Sequence, residues 1–578
     1  MKRLLALALA MCLLLTGCIP YRIWQRLSRR DEGVLESAVS QALAGFDASG
    51  EMPRFSALPY ESPDAAALRE VFETARTLAE EGRDADELMD ALDRAFDAYD
   101  ELYTLDAIAM IRSDADQTND YWAGEYERCE RLLPQAEQWY NQMLQACASS
   151  PKRRTLEFRG YFAYGDLDYY EEDDDYYPDE LVALMERESD LEAEFRALGE
   201  DFDLDGEEMD LNEYLAREDL SEDEYAQAYT AYLRRVNAEA SRIYAELIGV
   251  REQIAALWGY DSYEEYSYDY YGRDYTPAEV ETYLANIGRV LGPCHRAMYD
   301  GGEYDKLSYP ALSERDLMHS LEETMDALGY PADEAFDFMQ RHELCDVRSD
   351  LRKASISYTT YLYSYDAPYL FVDAYGDVED LMYTAHEFGH FLAAYAGGYS
   401  ESGLDLDETY SQGMEYLTLE KLRDTLTSHR YKALLRIKLL DTLDTYAEEG
   451  AWASFEHAVY ALPEAERTAE RFNELSAECL RAFGCDDAEQ NVLWWTQIDH
   501  LFEMPFYLAS YCVSVDAAMQ LYELALEDPD AAWDTYRTLL DCADLPFSDA
   551  LAEAGLESPF TPDRPEQARK TIEAQLPE

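Results

Sequence analysis

The sequence predicts a mainly α-helical fold with a small β-sheet beside one helix that carries two histidines. Three observations make that prediction. Several long segments place apolar residues three and four apart, the spacing of a helix face. One stretch, Ala354–Ala374, alternates Tyr, Ile, Val and Thr, the pattern of half-buried strands. Directly after it, Gly376–Leu417 carries the start and stop signals of a helix. With 578 residues, 48% hydrophobic and 13% aromatic, the chain can bury a core large enough for such an arrangement.

Taken in order, the chain opens with Lys2-Arg3 and an apolar run, Leu4 to Leu15, too short to span a bilayer but suited to the h-region of a secretory signal. The run ends in Leu15-Thr16-Gly17-Cys18, which resembles a bacterial lipoprotein signal. That resemblance implies a signal peptide over 1–17, a mature chain that starts at a lipidated Cys18, and a tether over 18–50. The protein is then expected outside the cytoplasm, with the lipid as its membrane attachment. No later stretch reaches the roughly 18 uninterrupted apolar residues of a membrane helix.

Residues 51–155 read as an N-terminal helical region, with Ala65–Leu78, Ala85–Leu102 and Tyr121–Cys147 as its clearest helices. Around Arg154–Tyr164 the pattern changes to alternation and suggests a strand pair or an extended linker. The acidic, tyrosine-rich run Asp166–Tyr177 reads as a solvated loop. Asp201-Phe202-Asp203-Leu204-Asp205-Gly206 opens like an EF-hand loop, but position twelve is Asn212 rather than Glu. An acidic turn leading into a helix at Leu211–Ala216 is therefore preferred to a calcium site. Glu222–Trp258 reads as one long helix, and Thr276-Pro277 as the cap and first turn of another.

The charge is extreme: 47 Lys+Arg against 122 Asp+Glu give a formal net charge of −75. Such a surface repels nucleic acid and anionic headgroups. Apart from Cys12 and Cys18 there are eight cysteines, irregularly spaced and without a C-x-x-C, so no zinc is assigned to them and they are expected to be mostly buried thiols.

The chemistry concentrates in His386-Glu387-Phe388-Gly389-His390, an H-E-x-x-H. Four residues make about one helical turn, so His386 and His390 share a face and can bind one metal ion, while Glu387 can hold a water there. Asp377 is a candidate N-cap, Glu379 and Asp380 put negative charge in the first turn, and Gly397-Gly398 give a stop. Eighteen residues after His390 comes Glu408, with Glu401, Asp405, Asp407 and Glu415 as competing acids. The preceding β-rich stretch offers an edge along which a peptide backbone can lie as an added strand.

Asp373–Glu415, with HEFGH followed by E-T-Y-S-Q-G-M-E, resembles the thimet oligopeptidase and oligoendopeptidase F family of zinc metallopeptidases. IRSDADQTNDYW, FDLDGEEMDLNEYL, REQIAALWGYDSYEEY, RDYTPAEVETYL and HLFEMPFYLASY resemble further family segments in the family's order, closer to the oligoendopeptidase F branch. The resemblance implies a catalytic region over 156–565 and two helical lobes around a deep channel. It implies one Zn2+ per chain on His386, His390 and Glu408, with Glu387 as general base and oligopeptides as substrates. It also implies that His500, Tyr507 and Tyr511 hydrogen-bond the substrate or its developing oxyanion. Glu415 falls on the face of Glu408 two turns on and is a candidate to orient a ligand histidine. Tyr410, where the family has a small residue or proline, is expected to alter the subsite beside Glu408. A peptidase of another H-E-x-x-H family and a non-catalytic peptide-binding lipoprotein are the competing readings.

Overall fold

A computed structural model describes residues 52–162, 167, 170, 179–198, 201–204, 207–211, 214, 221–397 and 403–577. The leader, Cys18, the tether and most of the acidic run before 179 lie outside these residues. In chain order the helices begin with α1 (Ala65–Glu80), α2 (Ala85–Ala115), α3 (Asp120–Ser149), α4 (Arg153–Phe158) and α5 (Asp179–Arg196). Strands β1 (Asp201–Leu204) and β2 (Glu207–Asp210) precede α6 (Glu222–Leu257), α7 (Tyr263–Tyr270), α8 (Pro277–Val290), α9 (Gly292–Asp300), α10 (Glu314–Leu328) and α11 (Ala332–Arg341). Then come β3 (Cys345–Arg348), β4 (Tyr358–Leu362), β5 (Ala367–Asp373), α12 (Asp380–Gly397), α13 (Leu404–Thr425), α14 (Ser428–Asp444) and α15 (Gly450–Tyr460). The chain finishes with α16 (Ala469–Ala482), α17 (Glu489–Leu493), α18 (Asp499–Glu503), α19 (Leu508–Glu527), α20 (Pro529–Asp541), α21 (Phe547–Glu553) and α22 (Arg564–Gln575). The fold is mainly α with a small sheet, as expected. Among the described residues no helix is long and apolar enough to cross a membrane.

Two compact units form, one from residues before 177 with 311–397, the other from 179–310 with 403 onward. In the first, α1 to α3 bury one apolar stripe each. Leu68, Phe72, Ala75 and Ala79 meet Leu88, Leu92 and Ala95 of α2 and Leu132, Ala136 and Met143 of α3. The sheet order is β3-β5-β4, with β3 parallel and β4 antiparallel to β5. As the central strand, β5 is buried along six of its seven residues, which is why Ala367–Val372 reads as an unbroken apolar run. α12 packs against β5 and β4.

The stretch read as extended around Arg154 is instead the helix α4. Its alternation is incidental: Leu156 alone is fully buried, and Arg153 Nε donates to Glu157 at 2.9 Å across one turn. The EF-hand-like segment is a hairpin rather than an acidic turn, with Leu204 opposite Glu207 and Asp201 opposite Asp210.

In the second unit α6 runs as one helix with Ser221 and Glu224 in a capping box, and Thr276 and Glu279 form another ahead of Pro277. Tyr244 of α6 sits among Phe472, Trp495 and Phe502. Helices α13 and α19 pack side by side. Gly413 of α13 allows that approach, since a Cβ there would stand 2.8 Å from Leu521 Cδ1. Gly484 has φ +76, and a Cβ would meet the Gly292 carbonyl oxygen at 2.0 Å, so two backbones touch where only glycine fits. All eight described cysteines are free thiols, six of them buried. Burial pushes the thiols of Cys129, Cys147 and Cys294 up to about 12.

Candidate active site

Helix α12 in the first unit carries the H-E-x-x-H. It begins at Asp380, two residues later than a cap at Asp377 would place it. Asp377 makes an isolated bridge with Ala311 and accepts from the Glu379 N–H, while the Asp380 carboxylate accepts from the N–H groups of Tyr375, Gly376 and Asp377. The entry turn is thereby tied to the helix through one buried carboxylate. His386 and His390 lie on one face, half-buried, with ring centroids 5.2 Å apart and ring nitrogens within 4.8 Å of each other. That is compatible with two imidazoles on one ion.

Glu387 is 7% exposed. Thr359 of β4 lies within hydrogen-bond reach of both its carboxylate Oε2, at 3.0 Å, and its carbonyl oxygen, at 2.8 Å. Strand pairing positions this threonine, because Thr359 stands opposite Leu370 of β5 while α12 packs on the same two strands. Reading the sequence did not find Thr359, since nothing local links it to Glu387.

The second unit brings together Glu408, His500, Tyr507 and Tyr511. Glu408 on α13 is 8% exposed; its Oε1 accepts from the Tyr507 hydroxyl at 3.1 Å and its Oε2 from Ser411 at 3.1 Å. Ser411, also missed, had a signal in the sequence: it lies one turn after Glu408 in E-T-Y-S. The rings of His500, Tyr507 and Tyr511 pack mutually, with centroids 5.0 to 6.0 Å apart. Burial pushes the His500 imidazolium down to about 4, against an opposing pull from Glu408, so the ring is neutral at physiological pH. Burial, then Tyr511 and Glu408, hold the Tyr507 phenol well above its ordinary value.

Of the competing acids, Glu401 lies outside the described residues, and Asp405 and Glu415 are engaged elsewhere. Asp405 accepts from Tyr275 at 2.7 Å, and Glu415 pairs with Lys438 at 2.7 Å. Tyr410 does not line a subsite: it is fully buried, donating to the Leu539 carbonyl while its own carbonyl accepts from Tyr536. Away from the H-E-x-x-H helix and His500, His319 is exposed, and His295, His342 and His457 are buried. His295 faces Asp444 at 3.1 Å and His457 pairs with Glu264.

An H-E-x-x-H helix whose glutamate is enclosed and fixed by a neighbouring strand, in a mainly helical chain, is the mark of a metallopeptidase. Comparison with known proteins narrows the class. The signature of the peptidase M3 N-terminal domain matches residues 55–163, and that of peptidase family M3 matches residues 333–545. No curated protein matches the chain. Among solved structures, PZ peptidase A with an inhibitor is similar at a TM-score of 0.71 and 23% identity, over 90% of this chain and 99% of that one. A Bacillus anthracis protein assigned as an oligoendopeptidase F follows at 0.67 and 22%, over 90% and 98%. An oligoendopeptidase F from Enterococcus faecium is similar at 0.56 and 16%, over 89% and 96%. The chain belongs to peptidase family M3.

Proposed function

We propose that this M3 peptidase is a zinc-dependent oligoendopeptidase, with His386, His390 and Glu408 as the ligands of one zinc and Glu387 as the general base. The observation that carries the reading is the pairing of two convergent imidazoles with an enclosed glutamate held by Thr359. Two imidazoles and a carboxylate suit zinc and leave a position open. When bound, the ion supplies Lewis acidity toward a water and the scissile carbonyl.

Glu387 takes the proton of the attacking water and passes it to the leaving amine, so one carboxylate serves both halves of the reaction. Its low exposure keeps bulk water from competing for that proton. His500, neutral at working pH, and the Tyr511 hydroxyl donate toward the oxygen that gains charge as the carbonyl becomes tetrahedral, and Tyr507 joins them when its one proton turns from Glu408 to that oxygen. Tyr507 and Ser411 also orient Glu408. Short oligopeptides are the proposed substrates, as the names of the similar solved structures suggest.

The test is cleavage of a mixed oligopeptide library by the full chain in detergent, beside Glu387→Gln and a chelated sample. Internal cuts by wild type, none by either control, and about one zinc retained by the mutant support the reading. Zinc and peptide binding without turnover overturns it in favour of a peptide-binding lipoprotein. We further propose that Cys18 bears the lipid and holds the enzyme outside the cytoplasm. Cys18→Ser should release it from membranes and abolish labelling by radioactive fatty acid; unchanged labelling refutes the anchor.

A further inference from the structure

Between α18 and α19 the chain passes from His500 to Tyr507 in eight residues, and its backbone there is irregular. Phe506 has φ +65, in the left-handed region that a bulky L-residue rarely enters. Something must hold it, and the second unit supplies a set of side chains that grip this backbone. Arg273 Nη2 donates to the Phe506 carbonyl at 2.7 Å and lies 2.7 Å from Ser510 Oγ, in the first turn of α19. Glu456 of α15 accepts from the Phe506 N–H, so side chains engage both peptide groups of the residue. Ser267 of α7 donates to the Pro505 carbonyl at 3.0 Å. Arg251 of α6, 0% exposed, donates to the carbonyls of Leu501 and Phe502, the turn directly after His500.

The guanidinium of Arg273 is itself constrained. It lies 4.5, 5.0 and 5.9 Å from the ring centroids of Tyr268, Tyr271 and Tyr275, and its Nε and Nη1 are enclosed without a hydrogen-bond partner. An aromatic box of this kind fixes the plane of the fork rather than neutralising it. The Phe506 ring, 1% exposed, is pinned between His457 and Tyr460. Backbone and ring are thus gripped separately, one residue before the phenol that bonds Glu408.

We propose that Arg273, assisted by Arg251, Glu456 and Ser267, is a positioning residue for the peptidase reaction: it holds Phe506 in its left-handed conformation and so aims Tyr507. The inference rests on the functional reading of Tyr507 given above. Arg273 is not among the proposed zinc ligands or oxyanion donors; its effect passes through the Phe506 carbonyl and the start of α19. An ammonium at this position can keep one acceptor but loses the planar stack, so lysine substitutes only in part.

The experiment compares full-length wild type, Arg273→Met, Arg273→Lys, Tyr507→Phe and the Arg273→Met/Tyr507→Phe double variant. Arg273→Met is expected to lower kcat about 30- to 100-fold with KM within about threefold and zinc content unchanged, a misplacement effect. Lysine restores part of the loss, and the double variant is no more than about threefold worse than Tyr507→Phe alone, because both changes act on one group. Multiplying losses, or a kcat that falls only in step with zinc or folded fraction, overturn the proposal. A second readout needs no activity: 3-fluorotyrosine at position 507 gives a narrow 19F resonance in wild type and a broadened or split one in Arg273→Met. An unchanged resonance overturns the clamp even if wild type cuts no peptide, whereas an inactive wild type with the resonance altered sinks the oligoendopeptidase reading instead.

Discussion

Thr359 offers the most direct test of how Glu387 is held for the role proposed above. Its hydroxyl lies 3.0 Å from Glu387 Oε2 and 2.8 Å from the Glu387 carbonyl, and it has one proton to give. Thr359→Val removes that donor with little change of volume and puts a methyl group against the carboxylate. A hydrogen bond to a charged group is worth about 1.5–3 kcal/mol. Because the threonine divides its proton between two acceptors, the lower part of that range applies, about 1.5–2 kcal/mol. At about 1.4 kcal/mol per tenfold, kcat on a quenched fluorescent peptide should fall roughly 10- to 30-fold. Zinc stoichiometry should stay at that of wild type, since neither histidine bonds Thr359 in this structure. Thr359→Ser keeps the hydroxyl and should stay within about threefold of wild type. A valine variant that works as fast as wild type with full metal refutes the reasoning, as does a serine variant as slow as valine.

Three further outcomes follow from the packing. Burial holds Glu456 up at about 8, and Asp114, Glu130, Glu192 and Glu449 at about 7, all above their unfolded values near 4. The folded chain therefore binds more protons than the unfolded one, so stability is full below about pH 4 on this account and drains away as pH rises through 7 to 8. Tm should be lower at pH 9 than at pH 6, with Glu456→Gln flattening the slope; a Tm that climbs over that range contradicts it. Gly484→Ala must place a methyl group on the Gly292 carbonyl at φ +76 and should cost more than about 3 kcal/mol in urea unfolding; a cost below 1 kcal/mol would show that the two backbones can part freely. Phe506→Gly and Phe506→Ala both lose the ring, but only alanine pays about 1–2 kcal/mol for the left-handed backbone. The glycine variant should unfold at higher urea, and equal midpoints would remove the argument from strain.

The features legible in the sequence are those set by short-range spacing. H-E-x-x-H declares its shared face within one turn, Thr276-Pro277 declares the start of its helix, and the β-branched and aromatic residues of 354–374 declare strands, although their alternation suggested half-buried ones where β5 is buried along six of its seven residues. What escaped depends on distant segments meeting. Thr359 reaches Glu387 only after β4 has paired with β5 and α12 has packed on both, and Arg273 reaches Phe506 from 233 residues away. Short elements escaped for a different reason. In α4 a run of alternating residues was mistaken for extended chain, because six residues show too little of a 3.6-residue period. In β1 and β2 the run of acidic residues hid an antiparallel ladder, with β1 packed against α6. Tyr410 misled because its nearness to Glu408 in sequence says nothing of its direction; two residues on, it points about 200° round the helix, into the core.

The free thiols have a bearing on where such a protein can live. Nothing among the described residues is cross-linked, so the fold asks neither for an oxidant to complete it nor for a reductant to preserve it. Burial holds the Cys129 and Cys147 thiols well above their ordinary value, which disfavours the reactive thiolate at neutral pH. Architecture and address are thereby decoupled. The described helices and sheet are held together by packing and hydrogen bonds, with no cross-link whose formation the surroundings would have to permit.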